Sequence, residues 1–306
     1  MSVLFVGLGA MGTPMASRLA EAGHELVVCD LRESHARDLA ARLGAGHVAL
    51  SALPAAETVI LMLPDSHAVE AVLDGLLPRL VKGSLVIDMS SSTPAATVRL
   101  AARAAELGLD YLDAPVSGGV ARAETGELSI MVGGASSTVE RAGRLLATLG
   151  TGITHVGPAG AGHAMKALNN LLSAVGLVAA AEVLAIGANF GLEPQTMLDV
   201  LNSSTGGNHA TRVKMSRFVL SRAFDSGFSL QLMVKDLRTA LELAADTATP
   251  VPVSALTLQE WTAAGQALGR AADHTHIAAY VEGRAGVELQ RPATDPPADR
   301  RTEDPQ

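Results

Sequence analysis

In the first half of the chain, apolar residues fall into short runs, separated by longer segments in which they recur every three or four positions. The short runs predict strands at 3–6, 25–29, 58–62, 85–88, 111–113, 128–132 and 154–156, and the longer segments predict amphipathic helices at 12–22, 34–43, 68–77, 94–107 and 137–149. This alternation is the pattern of a parallel sheet covered by helices, because each crossover between parallel strands needs a helix-sized connection. After Gly157-Pro158 the pattern changes. One unusually long apolar helix is predicted over 162–190, another starts at Pro194, and Pro250 and Pro252 separate two later ones, with no strand pattern among them. The fold class that follows is α/β, a Rossmann-type doubly wound sheet domain over 1–160 followed by an all-helical C-terminal domain over 161–286. Residues 287–306 are rich in proline and charge, have little to bury, and are predicted to be a disordered tail.

Composition narrows the classes of partner. The chain has 306 residues, of which 48% are hydrophobic and only 3% aromatic, so Ala, Leu, Val and Gly must fill its cores. A net charge of -8 without any Lys/Arg run argues against a nucleic-acid partner. The single cysteine, Cys29, excludes an intrachain disulfide, suits a reducing cytoplasmic setting and reads as a small buried strand residue. Met1-Ser2 leads straight into a strand-like run with no basic region, so no signal peptide is expected. The most membrane-like stretch, 170–192, is interrupted by Glu182 and reads as a buried helix. The histidines show no metal-ligand spacing, and no serine sits in a G-x-S-x-G elbow, which weighs against a metal site and a hydrolase.

The first strand runs into Gly7-Leu8-Gly9-Ala10-Met11-Gly12 and then a helix. In such a turn Gly7 permits the tight bend, Gly9 lets a pyrophosphate approach the backbone, and Gly12 lets helix pack closely on strand. The helix start offers free N–H groups and its positive dipole end to the phosphates. A second strand ends at Asp30, 18 residues after Gly12, where a carboxylate suits adenosine ribose hydroxyls and would repel a 2′-phosphate. NAD is therefore favoured, while Arg32, two residues on, would suit the phosphate of NADP. Leu63-Pro64 and Ser91, in the turns after the third and fourth predicted strands, are expected to line the same crevice.

The wording G-L-G-A-M-G-T-P-M at Gly7–Met15 resembles the entry signature of the β-hydroxyacid dehydrogenases, the family of 3-hydroxyisobutyrate dehydrogenase and tartronate semialdehyde reductase in the 6-phosphogluconate dehydrogenase superfamily. Three further segments resemble that family in order and spacing: D-A-P-V-S-G-G at 113–119, G-A-G-H-A-M-K-A-L-N-N at 160–170, and Lys235-Asp236. The resemblance covers about residues 1–285. It implies that Lys166 is the catalytic acid/base with Asn170 beside it, that Ser117, Gly118 and Gly119 hold a substrate carboxylate, that Ser91 lies between cofactor and substrate, and that Lys235 contacts the cofactor from the helical domain. Arg18 and Arg122 depart from the family pattern, and Arg122 bears on substrate size or charge.

The residues suit that chemistry. Interconverting an alcohol and a carbonyl with a nicotinamide needs a group that takes or returns the hydroxyl proton. Lys166 and Asn170 stand four apart on a predicted helix and so share a face. Ser117-Gly118-Gly119 would offer a hydroxyl and unobstructed N–H groups to a carboxylate. The expected partner is a small carboxylate-bearing 3-hydroxy acid, and the apolar helical half is expected to assemble into a homodimer or homotetramer. Two rivals use the same fold. An imine reductase is disfavoured by Lys166 with Asn170, and a non-enzymatic dinucleotide-binding regulatory module would carry an added recognition region, whereas the appendage here is a short mixed-charge tail.

Overall fold

The computed structural model describes residues 2–290, and the chain divides into two units. The first comprises the residues up to Leu171 together with Lys235–Val251. Its sheet is built from β1 (Ser2–Val6), β2 (Glu25–Cys29), β3 (Gly46–His47), β4 (Thr58–Leu61), β5 (Leu85–Asp88), β6 (Asp110–Asp113), β7 (Val116–Ser117), β8 (Leu128–Gly133) and β9 (Gly150–Gly157). The strands run in the order β3-β2-β1-β4-β5-β6-β8-β7, with β9 also paired to β8. The first six are mutually parallel, β8 is antiparallel to β6 and β7, and β9 runs parallel to β8.

Strand alternation assigns each side chain to one of two cores. Val3 and Phe5 of β1 join Leu26, Val28, Ile60 and Ile87 on one face, covered by Met15 and Leu19 of α1 (Gly12–Glu21), Leu39 of α2 (Glu33–Leu43) and Leu145 of α6 (Ser136–Leu149). Leu4 and Val6 join Cys29, Val59, Leu61 and Val86 on the other, under Val69 and Leu73 of α3 (Ser66–Leu76) and Leu100 of α4 (Pro94–Glu106). β4 and β5 are buried throughout, as central parallel strands must be. Cys29 sits in this core, where burial, aided by Asp30 and Glu33, pushes its thiol up to about 11 and leaves it unreactive.

Three elements escape the periodicity. β3 and β7 have two residues each, and α5 (Gly119–Thr125) has seven, too few to establish a period. β9 begins earlier than predicted, because Gly150 ends α6 in an extended conformation and continues directly as strand.

Past Gly160, two segments pack with the sheet unit. The first turns of α7 (Ala161–Phe190), and α9 (Leu230–Asp246) from Lys235 onward, cluster with the sheet unit. Asp113 at the end of β6 explains the first of these, since its carboxylate accepts from the N–H groups of Gly160 at 2.8 Å and His163 at 2.9 Å.

The second unit holds the rest of α7 and the start of α9. It also contains α8 (Pro194–Ser203), a wide π-type helix (Ala210–Val219), α10 (Pro252–Leu268) and α11 (Ile277–Ala285). The predicted disordered tail begins too early. Leu289 is fully buried, its N–H donates to Glu282 at 2.8 Å, and Arg222 donates to its carbonyl at 3.1 Å, so one apolar residue docks the chain as far as Gln290. The remainder of that prediction, residues 291–306, lies outside the described residues.

Candidate active site

β1 lies between β2 and β4, so the strand order reverses at its carboxyl end, the place where parallel α/β sheets open a ligand crevice. The glycine turn stands there. Gly7 has φ +100°, and a Cβ on it would lie 2.3 Å from the Met62 carbonyl oxygen. A Cβ on Gly12 would fall 1.9 Å from the carbonyl oxygen of Gly7. Over Gly9 a Cβ would meet nothing within 4 Å, so open space faces the backbone between Leu8 and Ala10. No side chain caps α1 after Met11, which leaves its first N–H groups for an anion. These features fit a dinucleotide pyrophosphate.

Asp30 holds this turn in shape. Its Oδ2 accepts from the Leu8 N–H at 2.7 Å and its Oδ1 from the Arg32 N–H at 2.9 Å. An ionised carboxylate has lone pairs beyond these two bonds, so the group keeps capacity for ribose hydroxyls. Thr13 Oγ1 and His35 Nε2 both donate to the Leu8 carbonyl, at 2.8 and 2.9 Å. Sequence reasoning missed this latch, and its signal was two polar residues in the first turns of α1 and α2.

The other two turns meet at Lys235. Its ammonium donates to the carbonyls of Pro64 at 3.1 Å and Ser91 at 2.7 Å, and stands 3.4 Å from the Asp236 carboxylate. The turns are joined directly as well, by the Leu63 N–H donating to Ser90 Oγ at 2.9 Å. These bonds pack Lys235, which lies on α9 among the C-terminal helices, with the sheet unit.

Lys166 and Asn170 share one face of α7, as their spacing predicts. Asn170 is buried; its amide donates to Asp236 Oδ2 at 2.5 Å and accepts from Asn169 at 3.2 Å, which fixes its orientation. Burial holds the Lys166 ammonium below the usual lysine range, with Asp236 opposing that shift and Lys235 adding to it. Asp236, noted in sequence only as half of a charged pair, is thus the anchor of Asn170 and a charge felt by Lys166.

Ser117, Gly118 and Gly119 form the turn from β7 into α5, with φ +135° at Gly118 and +70° at Gly119. The aliphatic stem of Arg122 lies against Gly118, close enough that a Cβ there would sit 2.7 Å from Arg122 Cδ. Among the described residues these three make no hydrogen bond to Lys166 or Asn170. Their connection to the helix is Asp113, which begins their loop and binds the start of α7.

The chain is similar to known proteins over most of its length. Residues 2–157 match the family model described as the NAD binding domain of 6-phosphogluconate dehydrogenase. Residues 160–281 match that described as NAD-binding of NADP-dependent 3-hydroxyisobutyrate dehydrogenase. The 2-(hydroxymethyl)glutarate dehydrogenase of Eubacterium barkeri is 39% identical over 87% of this chain and 89% of its own length. An NAD-dependent L-serine dehydrogenase of Pseudomonas aeruginosa is 41% identical over 84% of this chain and 89% of its own. Among solved structures, Mycobacterium tuberculosis 3-hydroxyisobutyrate dehydrogenase with L-serine superposes with a TM-score of 0.85 at 32% identity, over 92% of this chain and 98% of that one. With both halves matched by these family models and about two-fifths of its residues shared with these relatives over most of their length, the chain belongs to the β-hydroxyacid dehydrogenase family of nicotinamide-dependent oxidoreductases acting on small hydroxy acids.

Proposed function

We propose that the substrate is a 3-hydroxypropanoate substituted at C2, with Lys166 as the proton relay. The relatives named for L-serine, 3-hydroxyisobutyrate and 2-(hydroxymethyl)glutarate differ in the C2 substituent and share the unit HO–CH2–CH(R)–COO−. In this reading Ser117 Oγ and the N–H groups of Gly118 and Gly119 hold the carboxylate. Asn170, oriented by Asp236, donates to the reacting oxygen, and neutral Lys166 takes the hydroxyl proton as C3 loses its hydride. The nicotinamide, when bound, supplies the hydride acceptor. The observation that carries the reading is the lowered pKa of Lys166 on the helix face it shares with Asn170.

The test is a panel of L-serine, 3-hydroxyisobutyrate, glycerate and 2-(hydroxymethyl)glutarate, with 4-hydroxybutyrate as outlier, each assayed with NAD and NADP. The highest kcat/KM is expected for a compound containing the shared unit, and with NAD, because Asp30 stands at the ribose end of the turn. Preference for 4-hydroxybutyrate would refute the substrate class.

We further propose that the chain works as a homodimer or homotetramer joined through α7. This helix is long and apolar enough to cross a bilayer by length and composition alone. Its outer face carries Leu172 at 74%, Ile186 at 71% and Phe190 at 83% exposure, with Leu168 and Val183 in the same stripe. A seam of this spacing is covered by another copy in an oligomer. Leu172→Glu combined with Ile186→Glu is expected to lower the mass seen by light scattering to that of a monomer, and an unmodified chain already monomeric at micromolar concentration would contradict the proposal.

A further inference from the structure

We propose that His163 is a positioning residue that sets the rotation of α7, and with it the direction of Lys166, against the cofactor-side turns. The proposal rests on the reading of Lys166 as proton relay. The imidazole is 1% exposed and lies in the first turn of α7, three residues before Lys166 and on the same side of the helix. Its Nε2 donates to the Ser90 carbonyl at 3.1 Å, and its Nδ1 lies 2.7 Å from Thr97 Oγ1 on α4. Two buried carboxylates flank the ring, Asp88 at 4.0 Å and Asp113 at 3.8 Å.

Ser90 is where both cofactor turns are tied. Its hydroxyl accepts from Leu63, beside Pro64, and its neighbour Ser91 offers the carbonyl that Lys235 grips. Its own N–H donates to Asp88 Oδ1 at 3.0 Å, while Asp88 Oδ2 accepts from Ser92 at 3.0 Å and Tyr111 at 3.2 Å. Burial first, then the charges of Asp88 and Asp113, raise the Tyr111 phenol far above its ordinary value, so it stays a donor.

The division of labour follows from these bonds. Asp113 accepts from two backbone N–H groups and pins the place where α7 begins. Backbone bonds at that end fix position more than rotation about the helix axis, which falls to side-chain bonds on either side of Lys166: Asn170 to Asp236 beyond it and His163 to Ser90 before it. A side chain reaching sideways to Ser90 resists that rotation. Lys166, one turn further on, would otherwise swing relative to the turns that Lys235 and Ser90 hold, and about 1 Å of misplacement at a proton relay costs on the order of a hundredfold in rate.

Two near-isosteres separate the contacts. His163→Gln extends its amide to the Nε2 position and keeps the bond to Ser90, whereas His163→Asn ends at the Nδ1 position and keeps only the Thr97 side. With the full chain, NAD and its best hydroxy acid, His163→Asn is expected to lower kcat by about tenfold to a hundredfold. KM for NAD should stay within about twofold of wild type, as befits a loss confined to the chemical step. His163→Gln should retain most of the wild-type kcat, and Thr97→Val, which removes the other partner, should leave kcat near wild type. Equal kcat in the Asn and Gln variants overturns the proposal, as does a kcat loss in His163→Asn matched by an equal rise in KM for NAD. If His163→Asn does not fold, a low kcat in His163→Gln or Thr97→Val with intact NAD binding overturns it, and wild-type-like kcat in both sustains it. Lys166→Ala measured alongside keeps the two ideas apart: an active Lys166→Ala enzyme removes the relay itself, whereas an inactive one beside equal Asn and Gln variants removes only the positioning role.

Discussion

Replacing Lys166 with alanine is expected to lower turnover by about 10²–10⁴-fold, the usual contribution of a placed proton-transfer group. Cofactor affinity should hold, because the phosphate cradle at Gly7–Gly12 is built from other residues. The pH dependence carries a sign. Alcohol oxidation needs the free amine, so its kcat rises with pH through the Lys166 pKa, which burial places below the ordinary 10.5. Carbonyl reduction needs the ammonium, so its kcat falls through the same pKa. Lys166→Arg, which does not release its proton in this range, should remove the rising limb. Rate profiles in both directions check this, and a flat oxidation profile below pH 10.5 would exclude Lys166 as the base.

Gly12→Ala is expected to be the most damaging single methyl group in the chain. Its Cβ would arrive 1.9 Å from the carbonyl oxygen of Gly7 and 3.3 Å from Phe5 Cε1, and neither the main chain nor the ring beneath it has room to withdraw. The turn must open and α1 must tilt. Overpacking of this kind costs about 1–3 kcal/mol of stability. NAD affinity should fall by more than about tenfold, because the N–H groups at the helix start leave their positions. Titration with NADH by fluorescence, beside urea unfolding, measures both losses. Wild-type affinity in Gly12→Ala would show that the turn is not the cradle described.

What the sequence discloses is whatever repeats or is spelled out locally. The strands flanking β1 and their covering helices follow from apolar period alone, and so does the change to helices after β9. The glycine turn is legible because each glycine answers a separate steric demand. By contrast, β3 and β7 are set by pairing with distant partners, Val27 and Val28 for one and Ile130 and Ser129 for the other, so no local pattern marks them. The site divides along the same line. Lys166 and Asn170 come from one helix and their relation is a matter of spacing. Asp236 reaches Asn170 across 66 positions, and His163 reaches Ser90 across 73. Contacts of that separation exist only once the chain is folded, so no local pattern marks the grip of Lys235 on the Ser91 carbonyl or the bonds from Asp113 to the start of α7.

The tether from Asp30 to Leu8 bears on how such an enzyme can change its coenzyme over evolutionary time. Asp30, proposed to meet the ribose, accepts two backbone N–H groups, one from the glycine turn and one from Arg32. Substitutions that welcome an extra phosphate by deleting the carboxylate leave both donors bare, and the turn is loosened before any coenzyme arrives. Asparagine removes the charge and still presents an oxygen to Leu8. On that reading the accessible route between the two coenzymes runs through a short amide at this position, which also releases the Arg32 guanidinium from its 3.7 Å ion pair with the carboxylate.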